Sequence, residues 1–386
     1  MDICPKDKCT GCYACVNACN RGCISMKEDE LGCMHPVVDE TNCVNCGLCK
    51  SSCPNNVVLK FAYPSKCYAS WIDDKEKRKI CASGGIGTCM SEYVIKHGGV
   101  VFGSKYDAEM TPIMTCTEKI EELENFKGSR YVQSLVGNDT YKKVRTFLRN
   151  GRLVLFVGTP CQVAGLKTFL RKDYDNLITV DLICHGVCPT KYLKEEVAYL
   201  TEKYKLKDIA DIRFRGNDGN NFREKMLHLD ETQQYYILGF LFGISLRENC
   251  YSCNYSRPER IGDLTIGDFI GLGDTIKFSF SKKNVSSVTI NTTKGNTFYN
   301  NVSKLTNSLK NVERSYEERL FYKPSLVEPF KRHPLNKTFT EAYPMQGYVS
   351  SIRTALKKEM RKRKKKYFLR LILFPWKFLK KIIKNK

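Results

Sequence analysis

Residues 9–19 read CTGCYACVNAC and residues 43–54 read CVNCGLCKSSCP. Both runs space their cysteines as C-x2-C-x2-C-x3-C, at Cys9, Cys12, Cys15 and Cys19 and again at Cys43, Cys46, Cys49 and Cys53, with Pro54 after the second run. Three thiolates two residues apart wrap a short loop around one side of an iron–sulfur cube, and the fourth reaches across to the other cube. The expected ligand sets are Cys9, Cys12, Cys15 and Cys53 for one [4Fe–4S] cluster and Cys43, Cys46, Cys49 and Cys19 for the other. Soft thiolate ligands suit iron. The alternative, a pair of zinc knuckles, takes ligands as two spaced pairs rather than as two identical runs of four. Asn20 stands where the first run would carry a proline, which shapes the turn and is not a ligand. Cys4, Cys23 and Cys33 lie outside the runs and read as small packed side chains.

This is the run of a bacterial two-cluster ferredoxin, so residues 1–62 are expected to form a small ferredoxin-like α+β domain that moves electrons. Its core is mostly cluster, and loss of iron should unfold it. The chain has 386 residues, enough for two or three domains, and 20 cysteines. No apolar signal segment follows Met1, and the cysteines are clustered as metal ligands are, which argues against a disulfide framework and for a reduced, cytoplasmic setting. The formal charge of +22 is uneven: from Arg353 to Lys386 there are fifteen Lys+Arg against one Glu. No stretch reaches about 18 uninterrupted apolar residues, so no transmembrane helix is expected.

Beyond a short Pro64-Ser65 linker the pattern alternates. Cys67–Trp71 reads as a strand, Ile86–His97 as a helix ended by Gly98-Gly99, and Val100–Gly103 as a buried strand. Helix Lys142–Asn150, strand Leu153–Val157, a helix from Gln162 to Arg171 and strand Leu177–Leu182 follow, the signature of parallel α/β units. After Ile209 two hairpins are expected. One joins Ile212–Arg215 to Lys225–Leu229 through the turn-rich Gly216–Asn221, and the other turns at Lys294-Gly295 after Ser287–Asn291. The expected whole is a ferredoxin-like domain, a mixed α/β flavin and iron–sulfur body divided at 66–148 and 149–345, and a basic amphipathic tail at 352–386.

Four body cysteines stand out. Cys161 follows a strand-to-helix turn, Cys184 lies just past the next strand, and Cys250 and Cys253 form a chelate pair. Adjacent parallel strands would bring Cys161 and Cys184 to the sheet edge where α/β folds bind ligands. The reading is a third [4Fe–4S] cluster, with buried thiols or a zinc site as alternatives and Cys188 as a competing fourth ligand. Ser83-Gly84-Gly85 and Gly158-Thr159 both open helices, where free backbone N–H groups hold phosphate or flavin pyrophosphate; a strand-to-helix turn asks for the same residues. His185 reads equally as a packed residue or a proton donor, and Asp263 and Asp268 as ends of strand turns.

In these motifs the chain resembles the beta subunit of coenzyme F-420 hydrogenase/dehydrogenase, in the form fused to an N-terminal ferredoxin domain. The matching segments are ASGGIGT (82–88), KGSRYVQS (127–134), GTPCQVAGL (158–166), DLICHGV (181–187) and RENCYSCNYSRPERIGDLTIGDFIG (247–271), in order. The resemblance implies FAD beside iron–sulfur clusters, and electron transfer to or from a deazaflavin or another organic acceptor. It implies Cys161, Cys184, Cys250 and Cys253 as body-cluster ligands, and Ser83, Gly84, Gly85, Gly128, Ser129, Tyr131, Gly158 and Thr159 as flavin-site candidates. Ferredoxin-fused relatives are similar to partners of bacterial polysaccharide-synthesis genes. Cys188 stands where relatives carry a non-ligand residue. His185 and Tyr131 are the candidate proton donors.

Arg361–Lys366 is an unbroken basic run, and Phe368, Leu371, Ile372, Leu379, Ile382 and Ile383 fall near one helical face. A basic amphipathic helix reads as an anchor on an anionic membrane surface, here the inner face of the cell membrane, with Pro375 as the expected kink. A solvated charge run is the alternative. No base-reading module accompanies the tail, so no nucleic-acid partner is expected. Three functions follow: a flavin-dependent iron–sulfur oxidoreductase with its own organic substrate and a redox partner such as ferredoxin; an electron carrier or adaptor subunit; and, on the tail alone, a nucleic-acid protein with structural clusters.

Overall fold

The computed structural model describes residues 1–207, 209, 211–215, 226–228, 235–322 and 325–383, with side chains described in the last helix to residue 363 and at 365, and not at 226–228. The N-terminal domain is built on an antiparallel pair, β1 (Ile24–Glu28) and β2 (Met34–Val38), and two short helices, Ala14–Ala18 and Leu48–Ser51. Eight strands then form one mixed sheet: β3 (Lys66–Ile72), β4 (Val100–Tyr106), β5 (Pro112–Thr117), β6 (Val154–Gly158), β7 (Leu177–Leu182), and, beyond the small pair β8 (Asp211–Arg213) and β9 (Met226–His228), β10 (Leu264–Asp268), β11 (Ser286–Ile290) and β12 (Leu309–Arg314). The order is β12-β3-β11-β10-β7-β6-β4-β5. The central four, β10, β7, β6 and β4, run parallel, and the outer pairings are antiparallel.

The parallel strands are apolar on both faces because both faces are covered. Along β6, Val154 and Phe156 enter one core and Leu155 the opposite one, the two-residue period of a strand. On the Leu155 side lie helices Ile86–Lys96 and Thr293–Leu305, with Ile86, Met90, Val94 and Phe298 buried. On the Phe156 side lie helices Thr140–Arg149 and Pro160–Leu170. Each fully buried side chain of this kind is worth about 1.5–3 kcal/mol. Ala14, Cys15 and Val16 join the second core, so the ferredoxin-type domain packs onto the body through shared apolar surface. Asn17 fixes the contact: its Nδ2 donates to the Gly137 carbonyl at 2.9 Å and its Oδ1 accepts from Tyr141 N at 3.0 Å.

The sheet takes strands from both sides of the 148/149 division, so the two regions share one sheet. Three expectations are corrected. β8 and β9 pair in parallel, not as a hairpin; the expected turn at Gly216–Asn221 lies outside the described residues. Lys294-Gly295 is not a turn but the start of a helix capped by Thr292, whose Oγ1 accepts from Gly295 N at 3.0 Å. The tail does not begin at 352. The last helix, Leu335–Ile383, breaks at Gly347 (φ 70°) and runs on past Pro375, and Ile352, Leu356 and Met360 are buried in the core with Tyr236 and Tyr348. The apolar face expected from Phe368 to Ile383 lies outside the described side chains. No helix among the described residues is long and apolar enough to cross a membrane.

Candidate iron–sulfur and flavin site

The two cysteine runs fold as repeats of one loop. Gly11 (φ 62°) and Tyr13 (φ 62°) in the first run match Asn45 (φ 52°) and Gly47 (φ 73°) in the second. A left-handed residue on each side of the middle cysteine turns the backbone inward twice, which curls the loop around a common centre. The third cysteine of each run then sits in a short helix, Cys15 in Ala14–Ala18 and Cys49 in Leu48–Ser51. Cys9, Cys12, Cys15, Cys49 and Cys53 are buried, while Cys46 is exposed. The non-ligand Cys4 lies against Cys9 and Cys53, and Cys23 Sγ is 3.4 Å from Cys19 Sγ, so two cysteines outside the motif flank the ligand sets.

The body cysteines converge. Burial pushes the Cys161 and Cys184 thiols up to about 12, reinforced at Cys161 by Cys253 and Cys250 and at Cys184 by Cys161 and Cys253. Cys250 is raised by burial and by Cys184 and Cys253. Thiols so placed favour the thiolate only when a metal supplies the positive charge. Cys161 is the second residue of the Pro160–Leu170 helix, whose N-terminus is closed by a capping box between Thr159 and Gln162; this positive helix end favours anionic sulfur. Cys188 is fully buried elsewhere, bonded to Ser245 Oγ at 3.3 Å. A tetrahedral zinc site with Zn–S near 2.3 Å would hold its sulfurs about 4 Å apart. Among the described residues, sets of three ligand atoms within 4.8 Å of one another occur at Asp29, Cys33 and His35 and not at the twelve cysteines. Four thiolates to a set fit a four-iron group.

A cleft of about 230 Å³ opens at the C-terminal ends of the parallel strands, lined by Ser104 of β4, Gly158 of β6, Leu182 of β7 and Ile266 of β10, the place where open α/β sheets bind ligands. Of the flavin candidates it gathers Gly85, Gly128, Ser129, Gly158 and Thr159. It does not gather Ser83, Gly84 or Tyr131. Ser83 Oγ donates to the Val285 carbonyl at 3.1 Å, and a Cβ on Gly84 would meet the Ser70 carbonyl at 2.3 Å, so this pair packs the helix start onto the sheet. Tyr131 stacks on Phe240 with ring centroids 4.8 Å apart. His185 is also away from the cleft. Burial lowers its pKa, and its Nε2 is 3.1 Å from the Phe240 carbonyl. Asp263 is buried and bonded to Thr179, and Asp268 pairs with Arg215.

Sequence reasoning missed Arg130, Lys127, Gly87, Thr88 and Gln162 as cleft residues. Gly87, Thr88 and Ser91 form a small-residue face on their helix, a signal open to reading. Arg130 is nearly buried beside Asp211 and Tyr106, yet its Nε has no partner. An orphaned cationic donor in a cleft lined by glycines fits a ligand carrying phosphate and an extended ring.

Residues 8–57 match the family model for a 4Fe-4S dicluster domain. Residues 151–313 match the model for the C terminus of the coenzyme F420 hydrogenase/dehydrogenase beta subunit. The chain thus carries an iron–sulfur dicluster region and is similar, over residues 151–313, to the C-terminal part of that beta subunit, which supports an electron-transfer role of the oxidoreductase kind. No curated protein matches it. A solved structure described as a xenon derivative of the F420-reducing [NiFe] hydrogenase complex from Methanosarcina barkeri aligns with 81% of this chain and 95% of its own, at 17% identity and TM-score 0.45. A likeness of that size carries no further argument.

Proposed function

We propose that the chain is an iron–sulfur flavoprotein oxidoreductase that connects a one-electron partner such as ferredoxin to an organic substrate. One observation carries the reading: the Pro160–Leu170 helix borders the cleft, carries Cys161 and packs against Cys12. Thr159, at its N-cap, lines the cleft, and its Oγ1 lies 3.1 Å from Cys161 Sγ. About one turn further, some 6 Å along the axis, Gly165 faces the N-terminal domain; a Cβ there would meet Cys12 Sγ at 3.0 Å. Cys9, Cys12, Cys15 and Cys53 would hold the inner N-terminal cluster, Cys43, Cys46, Cys49 and Cys19 the outer one at exposed Cys46, and Cys161, Cys184, Cys250 and Cys253 the third. Gly85, Gly128, Ser129, Gly158 and Thr159, with Arg130 added, would hold FAD; Ser83, Gly84 and Tyr131 support that wall from behind. Clusters carry single electrons, and a flavin accepts them singly and passes them in pairs.

The chain's own part is placement. The apolar core around Cys12 and Cys15 keeps water from the inner ligands. Exposed Cys46 supports a docking point for the redox partner at that end. Neutral His185, its Nε2–H donating to a carbonyl, is better suited to packing than to proton donation. The resemblance alone supports an organic acceptor in bacterial polysaccharide synthesis. The basic run supports a cytoplasmic protein resting on the inner membrane face. Anaerobic purification should give about twelve irons and one flavin per chain. In Cys250→Ser, chemically reduced N-terminal clusters should no longer bleach the flavin rapidly in stopped flow. Unchanged bleaching without the body cluster refutes the route, and absence of flavin from the native protein leaves an adaptor role instead.

A further inference from the structure

Arg247 is 1% exposed and lies at the junction of the N-terminal domain and the body. Its Nη2 donates to the carbonyls of Cys9 at 3.1 Å and Met34 at 3.3 Å, Nη1 to Gln133 Oε1 at 2.7 Å, and Nε to Asn249 Oδ1 at 3.2 Å. Every one of these acceptors is neutral. Among the described residues no carboxylate forms an ion pair with it, whereas the equally buried Arg260 is paired with Asp181 at 2.7 Å. A buried guanidinium needs a compensating negative charge as well as hydrogen bonds.

Cysteines on both sides of Arg247 would supply one. The Cys9 carbonyl that it holds belongs to the first ligand of the inner N-terminal set. On the other side it polarises Asn249, whose Nδ2 points to Cys250 Sγ at 3.9 Å. A four-iron cluster with four thiolates is net negative and gains one more negative charge on reduction, so a fixed cation beside it favours the reduced form.

We infer that Arg247 is the shared counter-charge of two clusters, the one held by Cys9, Cys12, Cys15 and Cys53 and the one held by Cys161, Cys184, Cys250 and Cys253, and that it raises both reduction potentials. This rests on the three-cluster reading above. Arg247 is a positioning residue for electrons: it draws the two neighbouring centres upward together and leaves the outer cluster of Cys43, Cys46, Cys49 and Cys19 lower, which favours flow inward from the exposed end.

The test is a potentiometric titration of the anaerobic full-length protein followed by electron paramagnetic resonance, which reads each cluster without turnover. Arg247→Met should lower two of the three potentials by at least a tenfold change in the reduction equilibrium, about 59 mV for one electron. The third should stay in place as an internal control. Gln133→Glu sets a carboxylate against Nη1 and neutralises the cation where it stands, so it should lower the same two. Gln133→Leu loses the acceptor for Arg247 as well as the bonds that Nε2 donates to the Thr10 and Gly11 carbonyls, without adding charge, and Arg247→Lys keeps the charge; both should stay near the native values. Should Arg247→Met not retain iron, Gln133→Glu decides. The inference is overturned by native potentials in either charge-changing variant at full iron content, or by Gln133→Leu lowering them as far as Gln133→Glu. A native protein with about eight irons rejects the three-cluster reading instead.

Discussion

Gly165 is a close point of contact between the ferredoxin-type domain and the body. It lies inside the Pro160–Leu170 helix, where alanine would be the better helix former by about 1 kcal/mol. Yet a Cβ at this position would stand 3.0 Å from Cys12 Cβ, 3.0 Å from Cys12 Sγ and 3.0 Å from Tyr141 Oη. None of these neighbours retreats easily. Cys12 is held by its loop and, when loaded, by iron, and Tyr141 is fully buried with its hydroxyl donating to the Gln162 carbonyl at 2.9 Å. Overpacking of this kind costs about 1–3 kcal/mol. Gly165→Ala should therefore lose up to about 2 kcal/mol net. Gly165→Val forgoes the propensity gain and adds two more carbons to the same gap, so a loss of about 3 kcal/mol or more is expected.

The loss should have a location. The obstructing sulfur is a ligand of the inner N-terminal cluster, so Gly165→Val should lose that cluster first. Iron should fall from about twelve towards about eight per chain, with the body cluster on the same helix retained. Iron analysis with spin quantitation on anaerobic protein measures this, and thermal unfolding measures the stability. Native iron content and native stability in Gly165→Val would show that the Cys12 loop does not rest on this helix.

Three further outcomes are expected. Arg130→Lys keeps the charge but removes the unpartnered Nε donor; one charge-assisted bond is worth about 1.5–3 kcal/mol, so FAD should bind about 10- to 100-fold more weakly in a fluorescence titration, and unchanged affinity would take Arg130 out of the site. Removing residues 361–386 should leave iron intact and release the protein from anionic vesicles, whereas a cut at Ile352 also strips buried Ile352, Leu356 and Met360, each worth about 2–5 kcal/mol; equal vesicle binding after the first cut would refute the anchor. Burial holds His185 below its ordinary 6.5, so the unfolded chain takes up the proton first. Its contribution to stability is complete above about pH 6.5 and falls as pH drops from there, by at most about 1.4 kcal/mol per unit. His185→Gln should lose less stability than the native protein between pH 7.5 and 5.5, as read by anaerobic unfolding, and equal losses would refute it.

What could be read from the sequence follows how local each constraint is. Cluster ligation is set by spacings of two and three residues, so the paired runs announced both the domain and its chemistry. The alternation from Cys67 to Leu182 was legible except for β5 (Pro112–Thr117), because the other strands and helices there carry their own period and stop signal. Strand order was not. β3 pairs with β11 and β12, more than two hundred residues away, and no local pattern records that. Glycines misled for a related reason. Gly84 read as a phosphate-holding residue at a helix start and Gly295 as a turn residue, but each is a contact: a Cβ on Gly295 would meet the Asp263 carbonyl at 2.4 Å, as one on Gly84 would meet that of Ser70. The same holds for charge. Arg247 sits in the RENCYSC segment among many exposed arginines and lysines, and nothing in its neighbours marks it as buried. Only the fold brings it between Cys9 and Cys250, and only there does a cation without a carboxylate partner become an argument about clusters. The spacing of the cysteines says which centres the chain builds, and the long-range packing says how they are joined.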